Sequence, residues 1–157
     1  MKIYPYLLIL LLSLVLGRCT KPETHATASL EGTWKVDSLF ILYINKTFTG
    51  SSGTDSIYRS SGEVGTFYFT HEMVKYDYKR RNTQLKANLN YTLRTFKENA
   101  GFAKVRKWEI ILPDKTYNTE FGDQTSDAHK KARNLTLTYE PKAIGKQEME
   151  IIHLSKR

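Results

Sequence analysis

Leu30-Glu31-Gly32-Thr33-Trp34-Lys35-Val36 is the stretch on which the reading of this chain turns. A Gly-x-Trp step there opens a long apolar run directly after a polar segment. Trp34, Val36, Phe40, Leu42 and Ile44 share one parity, with Ser38 its only polar member. Lys35, Asp37 and Asn45 fall on the other, together with Leu39, Ile41 and Tyr43. Alternation that fades into a continuous apolar run predicts a long strand whose far end is covered on both faces. A buried helix is the competing reading, and the β-branched and aromatic content favours the strand.

Downstream, residues 46–63 are rich in Gly, Ser and Thr. A connection that long reads as a binding loop or lid, or as a tolerated insertion. Val64–Thr70 and Glu72–Lys79 predict a hairpin around His71, with Phe67, Phe69, Val74, Tyr76 and Tyr78 on one face. Lys79-Arg80-Arg81-Asn82 follows as a basic turn. It reads as a charged hairpin tip that discourages edge aggregation, or as a contact for lipid phosphate or acidic glycan. Leu85 to Thr95 is the cleanest strand: Leu85, Ala87, Leu89, Tyr91 and Leu93 alternate with Lys86, Asn88, Asn90, Thr92 and Arg94. Further strands are expected over Lys104–Leu112 (Trp108, Ile110 and Leu112 inward), Thr116–Phe121, Leu135–Tyr139 and Gln147–Leu154 through Met149, Ile151 and Ile152. Ser126 is placed to cap a short helix. Roughly eight consecutive antiparallel strands with at most one short helix predict an all-β fold, an up-and-down barrel or a sandwich. Eight strands in a barrel enclose room for one small ligand.

Working back toward the N-terminus, residues 1–18 read as a signal peptide: Lys2, then an apolar run from Tyr6 to Leu16 broken only by Ser13. That run is short of the ~20 apolar residues that span a bilayer. Cys19, the sole cysteine, follows it, and residues 19–29 read as a polar tether to a folded domain over 30–157. The formal charge of the whole chain is +8; without Lys2 and Arg18 the remainder carries 22 bases against 16 acids. A surplus of that size favours contact with anionic surfaces such as nucleic acid, anionic lipid or acidic polysaccharide, but it is spread along the chain and reads first as a soluble basic surface.

The Gly32-Thr33-Trp34 opening, the long connection after it, the meander of strands and the closing Met149-Glu150-Ile151-Ile152-His153-Leu154 segment together resemble the lipocalin-like lipoproteins common in Bacteroidota. The resemblance implies an eight-stranded lipocalin-like β-barrel in which Gly32 and Trp34 form a structural plug at the closed end. It also implies that a basic residue, Lys156 or Arg157, packs over the tryptophan, and that residues 46–63 lie over the open end as a lid. Cys19 resembles the lipidated cysteine of bacterial lipoproteins, although Arg18 departs from the small residue expected before it.

Tyr76, Tyr91, Trp108 and Tyr139 are candidates for lining an apolar cavity with polar tips, or for filling a small barrel. The four histidines lack metal-ligand spacing, and Glu120, Asp123 and Asp127 do not follow a calcium-loop pattern. No nucleophile elbow, zinc-protease or phosphate-loop motif occurs, so no catalytic residue, metal or cofactor is assigned. The expectation is an envelope protein lipid-anchored to the outer membrane, or a secreted protein if Cys19 is not lipidated, that binds a small apolar or amphipathic ligand and no nucleic acid. The alternative is a filled barrel acting as an interaction or inhibitory module on an envelope protein partner.

Overall fold

A computed structural model describes residues 22–47, 49–52, 57–101, 103–122 and 132–157. The signal segment, Cys19, Gly53–Ser56 in the long connection, and the Ser126 helix all lie outside the described residues. The elements are α1 (Pro22–Leu30), β1 (Gly32–Thr47), β2 (Gly50–Ser52), β3 (Ile57–Phe69), β4 (Met73–Arg80), β5 (Thr83–Asn90), β6 (Thr92–Ala100), β7 (Ala103–Ile111), β8 (Thr116–Phe121), β9 (Asn134–Tyr139) and β10 (Gly145–Lys156). The protein is all-β, with one antiparallel sheet of ten strands. Two expectations change. The connection after β1 is largely strand, with β2 pairing back on Asn45–Thr47 and the start of β3 pairing on Ser38–Leu42. Pro22–Leu30, which overlaps the 19–29 segment read as a tether, is a helix. Proline suits its first turn, and Ala26 and Leu30, four residues apart, are fully buried on one side of it.

The sheet order is β5-β4-β3-β1-β10-β9-β8-β7-β6, with β2 off this path. It is not closed into a barrel by hydrogen bonds: its two edges are β5 and β6, which Tyr91 alone separates in the chain. Every neighbouring pair on the path is antiparallel. Counting outward from β1 in both directions therefore makes β5 and β6 run the same way. The sheet is also rolled. β4 and β8 lie five positions apart in the order, ~24 Å in a flat sheet, yet phenols from both reach one carboxylate, Glu150.

β1 carries a bulge that changes the expected core. Asp37 has no partner in either register, and the pairing shifts between Val36 and Ser38. One extra residue reverses which side chains point inward. Trp34 and Val36 are buried before the bulge, and Leu39 and Ile41 after it, all fully. Phe40 and Leu42, expected inside on simple parity, lie on the outer face, where Phe40 packs edge-on against His153 at 5.5 Å. On β10 the inward set is likewise Glu148, Glu150, Ile152 and Leu154, so Met149 and Ile151 face out. The core joins α1 to side chains of every long strand.

The rolled sheet has two distinct ends. At the base, α1 covers Trp34, and the β3–β4 turn, the β6–β7 turn and the end of β10 gather. At the mouth lie the end of β1, the β4–β5 turn, the β7–β8 turn and the start of β10.

Candidate functional site

The site grows from parity on three strands. On β4, the residues that share a face with buried Val74 are Tyr76, Tyr78 and Arg80. On β10, the face of Ile152 continues to Glu150 and Glu148. On β8, Tyr117 is buried on the inner face. Rolling the sheet brings these together halfway along the interior. Close approach of β3 and β4 is part of the construction. At Gly65, opposite Tyr78, an added Cβ would lie 2.2 Å from the Asp77 carbonyl oxygen.

Glu150 is 3% exposed. Its two oxygens accept hydrogen bonds from Tyr78 Oη and Tyr117 Oη, each at 3.1 Å. Arg80 Nε lies 3.4 Å away and Lys115 Nζ 3.7 Å. A carboxylate so deep needs this number of donors, because an unpaired buried charge costs several kcal/mol, on the order of the charge's desolvation. Burial first, and the Glu150 charge second, push the Tyr78 and Tyr117 phenols well above their ordinary range. Both therefore stay protonated and act as donors. Nearer the mouth, Glu148 accepts from Arg80 Nη2 at 2.6 Å and Arg81 Nη2 at 2.7 Å. Burial opposes its charge, but the bond from Arg80 heads the favourable contacts that hold its carboxyl below the usual carboxylate range. Arg81 also donates to Tyr43 Oη. The basic turn is thus folded back over the interior, not projected from it.

Above this floor opens a cavity of about 390 Å³, lined by Arg80, Arg81, Thr83, Leu85, Asp114, Lys115, Tyr139 and Glu150. Lys115 is the lining cation with least hydrogen bonding. Its ammonium sits 5.0 Å from the Tyr117 ring centroid and 5.8 Å from that of Tyr76. The nearest carboxylate oxygen is beyond ordinary hydrogen-bond length.

Of the four aromatic candidates, only Tyr139 lines the cavity. Tyr76 is not among the lining residues; its ring is tilted against those of Phe67 and Tyr78 at 5.4 and 5.6 Å. Tyr91 and Trp108 lie elsewhere, packed edge-on against Phe69 and Phe121, each at 5.5 Å. Tyr91 donates to the Thr70 carbonyl at 3.0 Å, and burial, with Glu31 adding, raises its phenol to about 12. At the base, Trp34 is fully buried and donates from Nε1 to the Leu30 carbonyl at 2.6 Å. Lys156, its register partner, places Nζ 5.4 Å from the indole centroid and donates to the Ser29 carbonyl at 2.6 Å. Sequence reasoning missed Glu148, Glu150, Arg80 and Lys115 as one cluster. The signal was present, because Glu148 and Glu150 keep the parity of Ile152 and Leu154, and Arg80 keeps that of Tyr76 and Tyr78.

Among the described residues, no group of three or more His, Cys, Asp or Glu is placed to hold a metal ion. No helix among them is long and apolar enough to cross a membrane. Comparison with protein-family models, with curated proteins and with solved structures finds no match, so the functional reading rests on the geometry of this chain alone.

Proposed function

We propose that this chain is a lipocalin-like binding protein of the cell envelope, anchored through Cys19, that holds a small amphipathic ligand in the mouth cavity. The barrel reading treats β5 and β6 as two halves of one strand, one bonded to β4 and the other to β7, which leaves eight strands around the interior. Their common direction, the single residue between them and the unbroken inward alternation through Leu89, Tyr91 and Leu93 support it. The cation over the Trp34 indole supports the lipocalin-like assignment.

The observation that carries the binding reading is the cavity of about 390 Å³, within the roughly 300–1,000 Å³ common for ligand pockets. Its chemistry selects for amphipathic over purely apolar ligands. Leu85 and the Tyr139 ring offer apolar wall, while Lys115 offers donors to a carboxylate or similar acceptor head. Titration calorimetry with decanoate and decanol, equal in tail and different in head, tests this on the full chain. Decanoate binds, decanol binds more weakly, and Lys115→Met removes about tenfold of the decanoate affinity, ~1.4 kcal/mol, while leaving decanol unchanged. Failure of both probes to bind, or a Lys115→Met variant that holds decanoate as well as the parent, overturns the reading.

A second reading, a scaffold that grips an envelope protein through its rim, draws on the interior below Glu150 being filled by Phe67, Tyr78, Tyr117 and their neighbours. Crosslinking from the mouth turns that captures one defined protein, in a preparation that binds neither probe, favours it.

A further inference from the structure

The β6–β7 hairpin runs past the core. Every residue from Phe96 to Gly101 and from Lys104 to Arg106 is exposed, on both faces of the ladder, and Trp108 is the first buried residue after Lys104. Five residues of strand project about 17 Å. A two-stranded extension with neither face covered gains little from packing, and its residues are not arranged for one. The face that continues the core face carries Lys97, Asn99, Lys104 and Arg106. Lys97 stands directly opposite Arg106 in the ladder. Like charges placed opposite each other destabilise a strand pair, and among the described residues no carboxylate forms an ion pair with Lys97, Lys104 or Arg106. The other face exposes Phe96 at 39% and Val105 at 41%, diagonal neighbours across the ladder, with Glu98 directly opposite Val105.

We propose that this hairpin tip docks on an anionic lipid surface, with Lys97, Lys104 and Arg106 meeting headgroup charge and Phe96 and Val105 entering the interface. Unneutralised cations beside exposed apolar side chains suit a membrane interface, where both are satisfied together. The position of the tip argues for lipid over an acidic protein. It lies at the base, where α1 packs against β6. Cys19 stands three residues before Pro22 in the chain, so the anchor proposed above joins the fold through α1, at the end that carries this basic hairpin; to that extent the inference rests on that reading. The mouth cavity then faces away from the bilayer. None of this depends on what the cavity holds.

Hydrogen exchange on the full chain reconstituted into vesicles tests the proposal. In equimolar phosphatidylcholine and phosphatidylglycerol, amides of residues 96–106 exchange about tenfold more slowly than in phosphatidylcholine alone, and added salt reverses the effect. Amides of the mouth turns at 81–82 and 112–115 do not respond. The Lys97→Gln, Lys104→Gln, Arg106→Gln variant loses the slowing. Since it relieves a like-charge pair, its unfolding midpoint does not fall, which separates lost docking from a lost fold. Equal exchange in the two lipids, or slowing that survives in the triple variant, overturns the proposal. So does slowing that requires an added envelope-protein extract, which assigns the hairpin to a protein partner.

Discussion

Replacing Glu150 by glutamine is the sharpest probe of the interior. The carboxylate accepts from two phenols at 3.1 Å and lies within 4 Å of Arg80 and Lys115. The amide keeps one acceptor oxygen and converts the other into a donor, so one tyrosine hydroxyl accepts from the amide while its own proton loses the carboxylate that accepted it. An orphaned buried hydroxyl costs about 1–3 kcal/mol, and loss of charge assistance on the remaining bond adds about 1 kcal/mol. Arg80 retains Glu148, whereas Lys115 loses the carboxylate nearest to it. Its place at the mouth lets water replace part of that interaction. The sum is about 3 kcal/mol, at the low end of what breaking a buried ion pair costs, and a large fraction of a typical total of about 5–15 kcal/mol.

Urea unfolding followed by tryptophan fluorescence reads this directly. With a slope of about 1.5–2 kcal/mol/M, the midpoint of Glu150→Gln falls by about 1.5–2 M. Glu150→Leu alone does worse, because both phenols are then orphaned. Tyr78→Phe and Tyr117→Phe added to Glu150→Leu recover most of that loss, since a matched apolar replacement of a buried polar set is close to neutral. A Glu150→Gln midpoint within about 0.3 M of the parent would falsify the account. A triple variant no more stable than Glu150→Leu would do the same.

Other perturbations address the frame. Gly65→Ala drives a Cβ into the Asp77 carbonyl and lowers stability by about 2–3 kcal/mol in the same urea assay; an unchanged midpoint rejects the close approach of β3 and β4. Trp34→Phe removes the bond to Leu30 and the stacked Lys156, a loss of about 1–3 kcal/mol, which Lys156→Met shares non-additively in a double-mutant cycle. Tyr78, Tyr91 and Tyr117 have phenols raised by burial, so the stability they carry is whole below about pH 10 and is lost as pH climbs toward their folded values, ~1.4 kcal/mol per pH unit for each. Alkaline titration by tyrosinate absorbance then shows these phenols ionising together with unfolding, and free ionisation at ordinary tyrosine pH in a folded protein refutes it.

The sequence pattern carried the fold class because inward alternation survives rolling of a sheet. Phe67, Phe69, Val74, Tyr76, Trp108, Leu135 and Leu137 all face the core as alternation requires. It misled at Asp37, where one unpaired residue reverses the inward set from Phe40 and Leu42 to Leu39 and Ile41; nothing in Val36-Asp37-Ser38 marks a bulge in advance. It misled again at residues 22–29, where polar composition concealed the i, i+4 pair of Ala26 and Leu30. The cluster around Glu150 was legible in parity but discounted by charge, because an acidic residue is read as solvated unless its partners are known. Those partners lie 35 and 70 positions away at Lys115 and Arg80, and only the roll of the sheet joins them.

That roll also divides the interior at one level. Moving from base to mouth, the inward side chains change from Ile152 to Glu150 and Glu148 on β10, from Tyr78 to Arg80 on β4, and from Ile41 to Tyr43 on β1. Below this level side chains fill the space; above it the cavity opens. The donors and acceptors of the floor are committed to one another: Glu150 to the two phenols, Glu148 to the two guanidinium groups. Asp114 and Lys115, on the β7–β8 turn, are not tied into hydrogen bonds of this kind. Stability and recognition are therefore carried by largely different residues, with Lys115 shared between them. Substitutions at Asp114 change which head group the mouth accepts while leaving the unfolding free energy within about 0.5 kcal/mol of the parent, whereas Lys115, which also faces Glu150, affects both. Substitutions at Glu150 or Tyr117 collapse both together. An Asp114 variant that loses stability in step with binding contradicts this division and makes the mouth a structural latch.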